Sequence, residues 1–211
     1  MRWTRSALLL SVVLAAARAR AAPPALKDGD LVHQRSRSAQ SALVGTLTGS
    51  DLTHVGVVFH RRGRPRVLEA AQRVRSRSLE AWIRAGRGRF VVVQRLRARD
   101  RIPRTTWRRM RAVARGFVGR PYDLRFEWSD ERLYCSELVY KVFRRGAGIA
   151  LVAPACVGDF DLDDPLVRRA IRARFDRPPR RDEPVVTPAQ LLDSPHLATV
   201  FAGRWPRPTD R

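Results

Sequence analysis

Lysine and cysteine are both scarce in this chain of 211 residues. Lysine occurs only at Lys27 and Lys141, and cysteine only at Cys135 and Cys156. Two cysteines are too few for a disulfide framework, and their spacing lacks the paired pattern of a zinc site. No apolar run reaches the roughly 20 residues that a membrane-spanning helix requires. The cysteines of this chain therefore have to be considered one by one.

Acidic residues are also few, and arginine dominates the charge. The chain has 20 acidic and 42 basic residues, which gives a formal net charge of +22. Forty of the basic residues are arginine, a skew that we attribute to a GC-rich coding sequence. The arginine runs lack the interleaved aromatic residues of single-strand nucleic-acid binders. We therefore expect no nucleic-acid partner.

The first 21 residues have the pattern of a secretory signal peptide. Two arginines precede the uncharged run Ser6–Ala17, and small residues follow at Ala19 and Ala21. We expect residues 1–21 to be a signal peptide and residues 22–211 to form a single domain. The mature protein would then be periplasmic or extracellular. Anchoring by an uncleaved segment is the alternative.

The first half of the chain is dominated by strand patterns. The predicted strands are Val55–Phe59, Val67–Ala70, Val74–Leu79 and Phe90–Leu96. The first two are expected to form a hairpin with a turn near Arg62–Arg64. Arg73, Arg75 and Arg77 alternate along the next strand, which indicates a solvent-facing side of the sheet.

Helical spacing replaces the strand pattern in the second half. Trp107, Met110, Ala114 and Phe117 form one apolar stripe spaced three and four residues apart. The other predicted elements are a helix from Cys135 to about Arg145 that ends at Gly146, a short helix over Thr187–Leu192 and a strand over Ala198–Phe201. The order of elements predicts an α+β fold.

Cys135 is a candidate nucleophile because it begins a predicted helix. Unpaired N–H groups and the helix dipole lower the pKa of a thiol at such a position. A cysteine at a helix start is often purely structural, and that alternative stays open from the residues alone. Cys156 lies in an apolar stretch and is expected to be a small buried side chain.

A cysteine nucleophile requires a base, and His54 is the best placed of the four histidines. His54 opens the apolar strand Val55–Val58, whereas His60 is expected on the hairpin surface. The remaining two histidines, His33 and His196, lie in polar surroundings without an apolar frame. Glu69 on the adjacent strand could orient the imidazole. An ion pair between Glu69 and an arginine is the alternative role.

Five short segments together resemble the permuted papain-like amidases of the YaeF/YiiX type, a branch of the NlpC superfamily. They are Gly29–Val32, Thr53–Val58, Leu68–Ala70, Gly119–Asp123 and Tyr134–Tyr140. In unpermuted relatives the Gly-x-Pro-Tyr and Cys-Ser segments precede the His-Val-Gly strand. Here the His-Val-Gly strand comes first, as in the permuted branch.

The resemblance implies a papain-like α+β core in which an antiparallel sheet packs against helices. It also implies Cys135 as nucleophile, His54 as general base and then acid, and Glu69 as the residue that orients His54. Tyr122 matches a tyrosine that helps to bind the oxyanion, with an aromatic plug under the following loop as its alternative role. No metal or organic cofactor is implied.

The resemblance leaves the amide substrate open. Envelope relatives in the superfamily suggest cell-wall peptides, while the permuted branch also includes enzymes for N-acyl or lipid-like amides. The alternative from another class is a non-catalytic, cationic module that binds the cell envelope. In either case the arginine-rich surface could contact anionic lipid or wall polymer electrostatically.

Overall fold

A six-stranded antiparallel sheet organises the fold, in the order β4-β3-β2-β1-β5-β8. The computed structural model describes residues 22–176 and 178–207, so the signal peptide expected at residues 1–21 lies outside the described part. The strands are β1 Leu31–Gln34, β2 His54–Arg61, β3 Arg64–Ala70, β4 Val74–Ser78, β5 Phe90–Leu96, β6 Ala155–Cys156, β7 Pro184–Val185 and β8 Leu197–Arg204. Strands β6 and β7 pair separately from the large sheet.

The predicted hairpin is confirmed as β2 and β3. Val57 pairs with Leu68 and Arg61 with Arg64, which leaves Arg62 and Gly63 as a two-residue turn. Both turn residues have positive φ, 52° for Arg62 and 72° for Gly63, as the tight turns that match strand twist require. This register brings the carboxylate-bearing end of β3 beside the beginning of β2.

Six helices lie around the sheet in the described part of the chain. They are α1 Ser41–Thr48, α2 Leu79–Ala85, α3 Arg104–Phe117, α4 Cys135–Ala147, α5 Pro165–Arg174 and α6 Pro188–Leu192. The main core lies between the sheet and the pair α3 and α4, and it contains Met110, Phe117 and Phe143. The opposite face of the sheet is covered by Trp82 and Ile83 of α2. The α+β prediction, with an antiparallel sheet packed against helices, is confirmed.

Three of these helices, α1, α2 and α5, were not expected from the sequence patterns. The helix predicted from Cys135 is confirmed, but its end was placed wrongly. Gly146 lies inside α4, and the helix ends at Gly148, whose φ is 74°. Gly148 donates its N–H to the carbonyl of Arg144, so it provides the left-handed cap that the prediction assigned to Gly146.

Gly146 is required for close packing of α4 on α3. A Cβ atom added there would lie 2.5 Å from the Cα atom of Met110. We expect Gly146→Ala to lower the free energy of unfolding by about 1–3 kcal/mol through overpacking. Gly116→Ala is the matched control, because a Cβ at this helical glycine would meet nothing within 4 Å.

The control should raise the free energy of unfolding by about 0.5–1 kcal/mol, the usual helix preference of alanine over glycine. Urea unfolding of the two variants measures both effects. Equal effects of the two substitutions would contradict the packing role of Gly146.

Candidate active site

The start of α4 is held firmly, and Cys135 is its first residue. The carboxylate of Glu137 accepts the backbone N–H of Tyr134 at 3.3 Å and an ion pair from Lys141 at 2.7 Å. The Ser136 hydroxyl donates to the carbonyl of Val186 at 2.7 Å. These contacts fix the helix N-terminus against the core, and the backbone N–H of Ser136 in its first turn lies beside the buried thiol of Cys135.

His54 lies beside this thiol at the beginning of β2, which packs against α4. Its Nε2 atom is 2.8 Å from Oε2 of Glu69, so the ring donates this proton to the carboxylate. The other ring nitrogen, Nδ1, is left for the hydrogen bond with Cys135. The ring of Trp82 stacks on His54 with a centroid distance of 6.0 Å and restricts its rotation.

Glu69 makes both of the contacts that the sequence left as alternatives. Its Oε2 atom binds His54, and its Oε1 atom accepts from Arg75 at 3.0 Å and from Arg77 at 3.4 Å. The interpretation of Arg75 and Arg77 as merely solvent-facing was therefore wrong. The register explains the contact, because Glu69 is the cross-strand partner of Arg75. Arg73 is exposed, as expected.

The pKa values favour a charged pair. Burial alone would raise the pKa of Glu69, but bonds to His54 and Arg75 lower it to about 2. Burial would lower the pKa of His54, yet Cys135 and Glu69 raise it to about 10. Burial likewise opposes ionisation of Cys135, but His54 and the backbone N–H groups of Val55 and Ser136 bring its pKa below the ordinary value. The arrangement stabilises a thiolate beside an imidazolium.

Tyr122 lies next to the same thiol. It forms a bridge with Leu133, two residues before Cys135, and its N–H donates to the carbonyl of Gln72 at 3.0 Å. Burial and the negative charge of Cys135 raise the pKa of Tyr122 well above its usual range, so the phenol stays protonated and can donate a hydrogen bond. The side chain is half-buried and lines the hollow space beside Cys135.

The other histidines and the second cysteine lie elsewhere. His33 is fully buried, contrary to the expected polar surroundings, and its Nε2 atom is 2.9 Å from Oε1 of Gln94. His60 is half-buried against Asp28, and His196 is exposed. Cys156 is exposed, so the expectation of a small buried side chain was wrong, because β6 lies away from the core. Both cysteines are free thiols.

An apolar cavity adjoins the thiol. Its wall includes Cys135 and Tyr122. Arg125 and Arg174 are its charged lining residues. The apolar lining comes mainly from α1, α5 and the loops between α4 and α6: Leu43, Val44, Leu47, Phe126, Val157, Phe160, Leu162, Val167, Ala170, Ile171, Phe175, Val185 and Val186.

A family model described as permuted papain-like amidase enzyme, YaeF/YiiX, C92 family, matches residues 25–201. The chain belongs to this family. In this chain the strand that begins at His54 precedes the helix that begins at Cys135. This is the permuted order that the sequence segments predicted. The family assignment and the fold expected from the resemblance are both confirmed.

Two relatives support the assignment to the permuted papain-like amidases. The chain is 34% identical to the uncharacterized protein YiiX of Escherichia coli K12 over 181 residues, which is 85% of this chain and 88% of that protein. It also resembles the crystal structure of YiiX from Escherichia coli O157:H7, with 35% identity and a TM-score of 0.78. That match covers 85% of this chain and 98% of the solved one.

The solved relative is described as a metalloprotein. Within residues 22–176 and 178–207, no three His, Cys, Asp or Glu side chains lie close enough together to hold a metal ion. The described residues therefore offer no such cluster of ligands for a metal ion.

Glu69 is expected to position His54 rather than to contact substrate. Glu69→Gln keeps an oxygen that can accept from Nε2, so it should lower kcat/KM by about 10-fold, against about 100-fold for Glu69→Ala. The measurement is turnover of an acyl amide across pH. The basic limb of the profile should shift to lower pH in both variants, because a negative partner of the imidazolium is lost. Unchanged turnover and an unchanged profile would assign Glu69 to its arginine ion pairs alone.

Proposed function

We propose that this protein is an exported thiol amidase that hydrolyses amides with an apolar acyl group. The observation that carries the proposal is the apolar cavity whose wall includes Cys135, the residue adjacent to His54. Membership of an amidase family supports the general reaction class. The finer steps follow from the residues around the thiol.

The first half of the reaction forms a thioester. The thiolate of Cys135 attacks the amide carbonyl carbon, and negative charge develops on the carbonyl oxygen. The backbone N–H of Cys135 and the phenol of Tyr122 are proposed to donate hydrogen bonds to this oxygen. Nδ1 of the His54 imidazolium then gives its proton to the amide nitrogen. The C–N bond breaks, and the amine leaves.

The second half releases the acid. Neutral His54 takes a proton from water through Nδ1, and the oxygen of that water attacks the thioester carbon. The C–S bond breaks, so Cys135 leaves as a thiolate beside the restored imidazolium. Throughout, Glu69 keeps the ring oriented and stabilises its positive charge, in the way that the carboxylate of a serine-protease triad does.

The cavity indicates which half of the substrate stays on the enzyme. The acyl group remains bonded to the sulfur of Cys135, so it occupies the space next to that atom. Aliphatic and aromatic side chains from α1 and α5 line this space, which suits a hydrocarbon chain. A cell-wall peptide would lose hydration along this mainly apolar wall and regain few hydrogen bonds, because the charged lining is limited to Arg125 and Arg174. We therefore favour a hydrocarbon acyl group over a wall peptide.

Export of the enzyme and contact with the cell envelope complete the proposal. The signal-like pattern of residues 1–21 supports export, and the excess of arginine supports attraction to anionic lipid or wall polymer. Within residues 22–176 and 178–207, no helix combines the length and apolar character that crossing a bilayer requires.

A chain-length series tests the proposed function. Anilides of acetic, butyric, octanoic and dodecanoic acid should show kcat/KM rising by about 3-fold for each buried methylene group until the cavity is filled. Val167→Asp would place a charge in the cavity wall and should reduce the gain from chain length. Leu166→Asp is the matched control, because Leu166 is the exposed neighbour on the same helix. Equal rates on the acetyl and dodecanoyl anilides would contradict the acyl-cavity assignment.

A further inference from the structure

A second hollow opens beside His54, a residue that does not line the apolar cavity. His54, Glu69 and Tyr122 line this cleft, whereas Cys135 does not. Tyr122 also lines the apolar cavity, so the two spaces adjoin at this residue. The reacting pair therefore borders two spaces of different character, because Cys135 lines the apolar cavity and His54 lines the cleft.

The order of bond-breaking assigns one half of the substrate to each space. The general acid must lie within hydrogen-bond distance of the nitrogen that leaves, so the amine half lies on the His54 side. The acyl half stays with the sulfur of Cys135. On the proposed function, on which this inference rests, the cleft is then the site of the leaving amine.

The charge of the cleft is one-sided. Four guanidinium groups line it, those of Arg37, Arg75, Arg77 and Arg132, against the single carboxylate of Glu69. That carboxylate is 2% exposed and already binds two of the arginines as well as His54. It is therefore not free to neutralise a further cation in the cleft.

Two of these arginines have no partner of their own. Arg37 lies on the exposed segment between β1 and α1, and Arg132 lies three residues before Cys135. Among the described residues, no side chain forms a hydrogen bond or ion pair with the guanidinium of either. Arginines without a partner that line one cleft are suited to carboxylate or phosphate, which accept bidentate hydrogen bonds from a guanidinium.

We propose that this cleft binds an anionic group on the amine half of the substrate, with Arg37 and Arg132 as specificity-determining residues. The preferred substrates are then acyl amides whose amine carries a carboxylate or a phosphate. The released amine is the anionic product, and the proton that it receives comes from His54. Arg75 and Arg77 contribute to the positive potential while they hold Glu69.

The test compares four dodecanoyl amides that differ only in the amine. The carboxylate probe is N-dodecanoylglycine, the phosphate probe is N-dodecanoylphosphoethanolamine, the neutral probe is N-dodecanoylethanolamine, and the cationic probe is N-dodecanoylethylenediamine. We expect kcat/KM of the better anionic probe to exceed that of the neutral probe at least about 10-fold, because hydrogen bonds to charged groups are the stronger ones. The cationic probe should be the poorest, and the comparison of glycine with phosphoethanolamine identifies the anion.

Variants assign the preference to the cleft. The double variant Arg37→Gln with Arg132→Gln should lower the anionic-to-neutral ratio of kcat/KM by about 10-fold. The matched control is Arg61→Gln with Arg64→Gln, two arginines at the hairpin end outside the cleft lining, which should keep the ratio of the wild type. The ratio in the wild type should also fall with added salt, because the cleft is open to solvent.

The possible failures are distinguishable. A ratio at or below one, or a ratio that the Arg37 and Arg132 substitutions leave unchanged, would overturn the anionic-cleft proposal and leave the amidase proposal standing. If none of the four amides is hydrolysed while Cys135 still reacts with iodoacetamide, the proposed function itself is overturned, and the cleft proposal with it.

Discussion

Replacing Cys135 with alanine is expected to abolish hydrolysis of the acyl amides, with a fall in kcat/KM of at least about 10³-fold. The thiolate makes the only bond to the acyl carbon in the proposed mechanism, so nothing else in the site can take its place. The acyl-enzyme, which mass spectrometry would detect as a mass increase on Cys135, should disappear with it. Cys135→Ser should be nearly as inactive, because a serine hydroxyl does not ionise beside His54.

Cys156→Ala is the matched control for this loss. Cys156 is exposed in β6 and has no contact with the histidine or the apolar cavity, so its removal should leave turnover unchanged. Urea unfolding of both cysteine variants checks that the fold is retained. Full activity of Cys135→Ala, or loss of activity in Cys156→Ala, would contradict the assignment of the nucleophile.

Replacing His54 with alanine is expected to have the second-largest effect, a fall in turnover of about 10²–10⁴-fold. Two functions are lost together, because His54 stabilises the thiolate and also protonates the leaving nitrogen. Glu69 should remain paired in the variant through Arg75 and Arg77, so the fold is expected to survive the substitution.

His60→Gln is the matched control for the His54 substitution. His60 lies at the far end of the same strand, where its ring contacts Asp28 at 2.9 Å. Its replacement should leave turnover of the dodecanoyl amides within about two-fold of the wild type. If His60→Gln and His54→Ala reduced turnover equally, the loss would reflect damage to β2 rather than the loss of a catalytic base.

The sequence was most informative where one local pattern decides the structure. Alternating apolar residues around the Arg62–Gly63 turn set the register of β2 and β3, and this register brings Glu69 to His54. The helix beginning at Cys135 followed from its apolar spacing. These contacts lie within one hairpin and one helix, so the candidate catalytic residues could be proposed from the sequence.

The rest depended on contacts between distant segments. Arg75 and Arg77 alternate as exposed strand residues do, and only the pairing of β4 with β3 brings them to the carboxylate of Glu69. The walls of the apolar cavity come from α1 and α5, which are more than 110 residues apart in the chain. Helix α5 did carry a local signal that the analysis of patterns missed, since Asp164 caps it and Pro165 occupies its first turn.

The end of α4 shows a further limit of local patterns. Gly146 and Gly148 are both glycines near the end of an apolar helix, so either could serve as the stop. The choice is made by Met110 of α3, which packs so closely on Gly146 that a side chain there would clash. Only Gly148 takes the left-handed conformation that ends the helix. Packing of α3 on α4 decides between the two glycines, and the sequence of α4 alone does not contain that information.

The proposed mechanism requires Cys135 to be an ionised nucleophile paired with His54. The pH dependence of its alkylation by iodoacetamide, followed by peptide mass spectrometry, tests this pairing. In the wild type, Cys135 should alkylate rapidly at about pH 6, where an ordinary thiol with a pKa near 8.5 is almost fully protonated. The exposed Cys156, which has no histidine partner, should react much more slowly. In His54→Ala, burial would act without the opposing imidazolium, so the rate for Cys135 at about pH 6 should fall at least about 10-fold while the rate for Cys156 stays the same. A rate for Cys135 that rises only above about pH 8, as expected for an ordinary thiol, or one that His54→Ala leaves unchanged, would contradict this assignment.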